Sequence, residues 1–261
     1  MTPALRLAVI GDPVEHSLSP QLHRGFFAQS GIAGTYETVR VAAGDGARAI
    51  AQLRASGYAG VNVTTPLKEE AFAAAQTHDA AAVASGAVNT LVFGECIDSY
   101  NTDGVGVLGA FDDAGLPELA GVRVLVLGAG PTARAAVVAL DAADAVVTVW
   151  NRTAARAEAV VREFDVRLWQ PGTRVDAVFS ALVPQAKLHD AALVATVLAA
   201  PVAIDANYGA RATLGAALGR SDVRDGSAML RASARASFAL FQTAATPGSL
   251  RRGGDSNSRD L

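Results

Sequence analysis

The sequence predicts an α/β architecture: an N-terminal α/β unit, a Rossmann-type unit inserted after it, and a C-terminal helix that returns to the first. Three observations lead there. Short β-rich runs alternate with Ala-rich helical stretches along the chain, which argues for mostly parallel sheets. A glycine-rich turn between a strand and a helix opens a second unit near Val122. Of the 261 residues, 51% are hydrophobic and 18% charged, enough to bury one large core or two modest ones.

The strands expected in order are 6–10, 36–41, 60–63, 87–93, 122–127, 146–150, 176–180 and 202–205. Ser19 and Pro20 read as N-cap and first residue of a helix. After the strand 60–63, Thr65 and Pro66 read the same way, which puts Lys68 in a first helical turn. A cation there opposes the helix dipole, at a cost of about 0.3–1 kcal/mol when exposed. Asp103 opens another helix, ending at Gly115, and 117–121 is a loop. Leu230, Ala234, Phe238 and Phe241 share one face of a late helix that packs back on the first unit. The seam near residue 103 divides the chain into 1–103 together with a helix over 227–247, and 104–226. The polar Gly/Ser-rich tail, 249–261, is expected to be disordered.

Charge and composition narrow the function. The net charge is −3 and the arginines are scattered, so no basic stripe awaits a nucleic-acid backbone. The single cysteine, Cys96, excludes an internal disulfide. No signal peptide and no membrane-spanning apolar run is legible, so the expected location is cytoplasmic. His16, His23 and His78 lack metal-ligand spacing, and no metal site is expected.

The second unit carries a cofactor signal. Gly128, Ala129, Gly130 and Ala133 form a G-x-G-x-x-A turn between strand and helix. The first glycine permits the turn, and the second lets the backbone approach a pyrophosphate at a helix N-terminus. About twenty residues on, an NAD-binding fold places an acid for the ribose 2′-hydroxyl. Asn151, Arg152, Thr153 and Arg156 stand there instead, and arginine forks suit a 2′-phosphate, so the expected cofactor is NADP(H).

In the first unit, Ser17 and Ser19 flank a turn, Asn89 lies at a strand and Asp103 begins a helix. Each, alone, reads as ordinary capping chemistry. Together the runs HSLSP (16–20), NVTTPLK (62–68), NTDG (101–104), GAGPTARA (128–135), NRTAAR (151–156) and DANYGARAT (205–213), with the late helix, resemble the shikimate dehydrogenase family over roughly residues 7 to 247. The resemblance implies a substrate-binding catalytic domain, a Rossmann NADP-binding domain and a returning C-terminal helix. It implies reversible reduction of 3-dehydroshikimate to shikimate by NADPH, a step of aromatic amino-acid and chorismate biosynthesis, by a monomer or homodimer. Lys68 and Asp103 then match the family's catalytic pair. Ser17 and Ser19 match its carboxylate-binding serines, Asn62, Thr64 and Asn89 its ring-hydroxyl or supporting residues, Tyr208 the cleft, and Gly226 the backbone near the nicotinamide.

The chain also departs from the family. Pro131 replaces a glycine, Ser180 and Leu182 replace polar residues near the nicotinamide, and Ser233 stands where the family places a substrate-binding glutamine. These departures keep open a relative acting on quinate or another shikimate-like polyol acid. A ligand-sensing domain of the same fold is a third alternative, opposed by retention of both Lys68 and Asp103.

Overall fold

The computed structural model describes residues 4–245; the tail expected from Ser249, and the last two residues of the helix expected over 227–247, lie outside the described residues. In chain order the first half runs β1 Leu5–Gly11, α1 Ser19–Ser30, β2 Gly34–Arg40, α2 Gly46–Ala55, β3 Gly60–Val63, α3 Lys68–Ala74, β4 Thr77–His78, α4 Ala80–Ser85, β5 Thr90–Phe93, β6 Ile97–Tyr100 and α5 Asp103–Asp113. The second half runs β7 Arg123–Leu127, α6 Pro131–Ala142, β8 Val146–Trp150, α7 Ala154–Phe164, β9 Arg167–Leu168, β10 Ala177–Ser180, α8 Ala191–Ala199, β11 Val202–Asp205, a 3₁₀ turn Gly209–Arg211, α9 Leu214–Leu218 and α10 Ser227–Ala245.

Two sheets result. The second has the order β11-β10-β7-β8-β9, with every pairing parallel, and is the Rossmann arrangement expected. The first has the order β2-β1-β3-β5-β6-β4 and is mixed. There β5 pairs antiparallel with both β3 and β6, and the turn at Gly94, whose N–H donates to the Cys96 carbonyl at 2.9 Å, folds β5 directly back into β6. The mostly parallel expectation therefore holds for one sheet only. β6 escaped the sequence reading because Asp98 and Ser99 interrupt its apolar character, and β4 and β9 because each has only two residues.

Two local readings change. α3 starts at Lys68, not Pro66: the Leu67 N–H first bonds back to the Thr64 carbonyl at 3.0 Å, so Thr65 and Pro66 belong to a turn and Leu67 is the N-cap. α1 includes Ser19, with Leu18 at the N-cap. Lys68 stays in a first turn, now as its first residue.

α5 joins the halves. It packs against α6 on one side and α10 on the other. Glycine on α5 makes the second approach possible, since a Cβ on Gly106 would lie 2.7 Å from the Met229 carbonyl oxygen and one on Gly109 2.6 Å from the Ala232 methyl. α10 continues across the first sheet, where Phe238 and Phe241 join Leu7, Val9, Phe27 and Tyr36 in one apolar cluster. Ala234, Phe238 and Phe241 are buried as expected, while Leu230 is half-buried and lines a cavity.

His23 lies inside that cluster, fully buried and stacked on Tyr36 at 4.0 Å, with neither ring nitrogen hydrogen-bonded. Burial pushes its pKa down from 6.5 to about 3. Between these values the unfolded chain binds a proton that the folded chain refuses, so stability falls as pH drops below 6.5, with a slope approaching about 1.4 kcal/mol per pH unit. His23→Phe should remove this component. Denaturant midpoints of wild type and variant between pH 7 and 5 check it: parallel curves would show that His23 does not contribute.

Candidate active site in the cleft between the sheets

The loops that follow β1, β3, β6, β10 and β11 all open on one cavity of about 290 Å³. This is where open α/β sheets bind ligands, beyond the carboxyl ends of their strands. Its first-unit wall includes Ser17, Ser19, Asn62, Thr64, Lys68, Asn89 and Asp103. Its second-unit wall includes Thr132, Leu182, Tyr208 and Gly226, and α10 adds Ser233. Every residue assigned by resemblance to catalysis and substrate binding thus borders one space, although they come from distant parts of the chain.

At its centre the Lys68 ammonium pairs with Asp103 Oδ2, and both residues are buried. Asn89 Nδ2 donates to the other carboxylate oxygen, Oδ1, at 2.7 Å. The Asp103 backbone N–H is held by Asn101 Oδ1 at 3.0 Å, and Asn101 in turn donates to Ser85 Oγ and the Ala87 carbonyl. Charges taken out of water cost several kcal/mol each unless paired and hydrogen-bonded, and this shell supplies those partners. The Lys68 ammonium also reaches Thr132 Oγ1 at 3.4 Å, across from the glycine-rich turn.

The two asparagines are largely committed to the protein. Asn89 Oδ1 accepts from the Thr102 N–H at 2.9 Å, and its Nδ2 also approaches Thr102 Oγ1 and Ser233 Oγ at 3.0 and 3.2 Å. Ser233 Oγ lies 2.8 Å from Thr102 Oγ1, so the short side chain closes this network from α10. Asn62 Oδ1 accepts from the Tyr36 hydroxyl at 2.8 Å, while its Nδ2 donates to the Asn89 carbonyl and Thr90 Oγ1. Burial raises the Tyr36 phenol pKa, with a hydrogen bond to Ser19 opposing. Ser17 Oγ accepts the Ser19 N–H at 3.2 Å and keeps its own proton for a ligand.

In the second sheet the residues expected to hold a cofactor have suitable surroundings. Gly128 has φ +120°, which L side chains rarely adopt, and its N–H donates to the Trp150 carbonyl at 2.8 Å. Gly130 is exposed and caps α6, with no atom within 4 Å of where a Cβ would stand, so a ligand can approach the backbone. Ala129 is half-buried beside it, and Ala133 is buried, 3.5 Å from an ideal Cβ on Gly128, where helix and strand meet closely. Asn151, Arg152, Thr153 and Arg156 follow β8 at the start of α7. Arg152 and Arg156 are exposed, and among the described residues neither guanidinium pairs with a carboxylate. Gly226 is buried under Ala206, whose carbonyl oxygen would be 2.1 Å from a Cβ, so no other residue fits. Ser180 is buried away from the cavity, whereas Leu182 lines it and is tethered by Asn207 Nδ2 at 2.9 Å.

Four further groups line or support this site without a sequence signal of their own. Tyr36 and Thr102 look like ordinary strand and cap residues, Thr132 is hidden inside the glycine-rich motif, and Arg211 lies three residues beyond Tyr208. Arg211 Nη1 reaches His16 Nε2 at 3.0 Å, tying one wall of the cleft to the other. Desolvation, then the Arg211 cation, lower the His16 pKa, with Glu15 opposing, which favours the neutral, accepting imidazole.

Among the described residues no three His, Cys, Asp or Glu side chains gather as a metal site, and no helix is long and apolar enough to cross a membrane.

Comparison with known proteins adds independent findings. Residues 9–91 match the family model described as shikimate dehydrogenase substrate binding domain, and residues 112–204 the model described as shikimate / quinate 5-dehydrogenase. The shikimate dehydrogenase (NADP(+)) of Acidiphilium cryptum is 48% identical over 161 residues, 61% of this chain and 58% of that protein. That of Methanosarcina mazei is 45% identical over 158 residues, 59% of this chain and 56% of that protein. The chain thus spans less than two thirds of the length of these curated relatives. Shikimate 5-dehydrogenase from Thermus thermophilus, solved in complex with NADP(H) and shikimate, is 33% identical with a TM-score of 0.79, over 91% of this chain and 93% of that one. An Ael1 enzyme from Pseudomonas putida is 29% identical with a TM-score of 0.76, over 92% of this chain and 93% of that one. With two matching family models on one chain and a 33%-identical structure followed over nearly its whole length, the chain belongs to the shikimate dehydrogenase family.

Proposed function

We propose that this protein reversibly reduces the 3-keto group of 3-dehydroshikimate to give shikimate, using NADPH, in the cytoplasm. In this reading 1–103 with 227–247 binds the substrate and 104–226 the cofactor. The observation that carries it is the buried Lys68–Asp103 pair facing a cavity that also reaches Thr132, in the first turn of α6 just after the glycine-rich turn. The named NADP(+) enzymes among its relatives support the same reading.

The open backbone at Gly130 and Arg152 and Arg156, which pair with no carboxylate among the described residues, fit a dinucleotide with a 2′-phosphate. Gly128, Ala129 and Gly130 would hold the pyrophosphate, Asn151, Arg152, Thr153 and Arg156 the adenosine phosphate, and Gly226 would leave room at the nicotinamide. When bound, NADPH supplies a hydride to the carbonyl carbon. Negative charge then grows on the carbonyl oxygen, and the Lys68 ammonium stabilises it and gives up a proton to the new hydroxyl. Asp103, oriented by Asn89, holds that ammonium against the cavity wall and accepts from a neighbouring substrate hydroxyl. Ser17 and Ser19 donate to the substrate carboxylate. Because Asn89 spends its amide on Asp103, Thr102 and Ser233, its role is to orient Asp103 rather than to bind the ring. Thr64, Tyr208 and Ser233 complete the walls.

Turnover of purified protein with NADP or NAD and with shikimate or quinate tests the reading directly. A preference for quinate, or for NAD, would overturn the corresponding half.

Lys68→Met should cut turnover by about 10²–10⁴. It also leaves the Asp103 charge buried without its counter-ion, so stability should fall; the double variant Lys68→Met/Asp103→Asn should recover stability without recovering turnover. Near wild-type turnover in Lys68→Met would remove the lysine from the mechanism. Asn89→Ala should lower kcat more than it raises KM for shikimate, and a pure KM effect would instead make Asn89 a binding residue. Replacing Arg152 and Arg156 together by Ala should weaken NADP far more than NAD in fluorescence titrations; equal losses would show that they do not select the phosphate.

A further inference from the structure

We infer that Arg211 recognises the substrate's carboxylate and draws the anion into the cleft, a role outside the Ser17 and Ser19 hydroxyls; this rests on the proposed function above. The charge inventory of the cavity wall leads there. Lys68 is neutralised by Asp103, and Asp12 is engaged by Arg40 at 2.9 Å. Among the described residues Arg211 has no carboxylate within ion-pair distance, so its positive charge faces the cavity uncompensated. Lined this way, the cleft favours an anion over a neutral ligand.

Position supports the same assignment. The guanidinium bonds His16, the residue next to Ser17, so it stands at the serine end of the cavity. His16 accepts one N–H and leaves four donors on the fork, a geometry matched to a carboxylate. Arg211 ends the short turn Gly209–Arg211 that also presents Tyr208 to the cavity, and the Arg211 N–H closes that turn on the Tyr208 carbonyl at 3.3 Å. Its arrival from the second unit, against His16 from the first, places the anion-recognising charge at the junction of the two walls. His16 is a positioning residue here: it aims the guanidinium.

The test compares shikimate with its neutral methyl ester in wild type, Arg211→Met and Arg211→Lys, by turnover and by calorimetric binding. Wild type should prefer the acid, and in Arg211→Met the acid-over-ester ratio of kcat/KM should fall roughly 10- to 100-fold, mainly through KM. Arg211→Lys should keep part of the preference, since it retains the charge but not the fork. The wild-type kcat/KM for shikimate should decline with added salt, and this dependence should flatten in Arg211→Met. An unchanged acid-over-ester ratio in Arg211→Met, in turnover and in binding, overturns the assignment, as does wild type binding acid and ester alike. If wild type fails to oxidise shikimate yet binds the acid over the ester in an Arg211-dependent way, the proposed reaction fails while the assignment of Arg211 stands. Thermal midpoints of the variants, with Arg211→Gln as a second neutral replacement, separate a loss of recognition from a loss of fold.

Discussion

The burial of one ion pair constrains the rest of the site. Lys68 and Asp103 come from helices that begin 35 residues apart in the chain, and each stands at the first residue of its helix. For Asp103 the helix dipole is favourable, and for Lys68 it is not. The pairing offsets that local penalty, and the two acids that follow it, Glu69 and Glu70, restore negative charge to the same first turn. Glu70 is itself fixed by the Gly44 and Gly46 N–H groups at 2.8 and 2.9 Å, so α3 is tied to the start of α2. The lysine is thereby held by the fold around it and does not depend on a ligand for its position.

A buried carboxylate needs donors on both oxygens, and this requirement propagates outward. Lys68 serves one oxygen and Asn89 the other. Asn89 must then be held in one orientation, which Thr102 does with its N–H and Ser233 with its hydroxyl. Ser233 arrives on α10, which can come close enough only because α5 carries Gly106 and Gly109. A larger side chain at either glycine would push α10 outward and take Ser233 away from Asn89. The returning helix therefore has two jobs, closing the aromatic core of the first sheet and completing the polar shell of the carboxylate.

Much of this was legible in the sequence, for identifiable reasons. The Rossmann sheet announced itself because β7, β8, β10 and β11 are continuous apolar runs, as strands buried on both faces must be. Lys68 stood out because it violated a local preference, and local conflicts gather at functional sites. The helix start at Thr65 and Pro66 was misread because an N-cap followed by proline at N1 and a turn containing proline share the same two-residue signature. The mixed character of the first sheet was hidden by β6, whose polar Asp98 and Ser99 face a neighbouring two-residue strand. The supporting roles of Asn62 and Asn89 depend on which donors lie within hydrogen-bond reach in space, and residue type alone cannot supply that. Arg211 was invisible for a different reason: an arginine in a Gly/Ala-rich turn has no pattern, and only the opposing wall gives it meaning.

The cleft combines two kinds of wall with different chemistry. The first-unit side is dense with interlocked donors and acceptors whose hydrogen bonds are nearly all used internally, so it presents a stiff surface. The second-unit side offers the apolar segment Ala181, Leu182, Val183 and Pro184, of which Val183 is 73% exposed, and reaches across the cleft through Thr132 and Arg211, while behind it α6 packs on α4 and α5 and Arg134 Nε donates to the Ser85 carbonyl at 2.7 Å. A ligand seated between them replaces water on that apolar lip while its polar groups meet preorganised partners on the other side. The hydride transfer proposed above would benefit from that division: excluding water strengthens the field of the Lys68 ammonium within the cleft, and a rigid donor network costs little reorganisation as charge develops there. The contacts across the mouth are the single hydrogen bonds of Thr132 and Arg211, whereas behind the cleft α5 and α10 pack into the second unit's core through Val107, Phe111 and Met229, which holds the two walls together at their base.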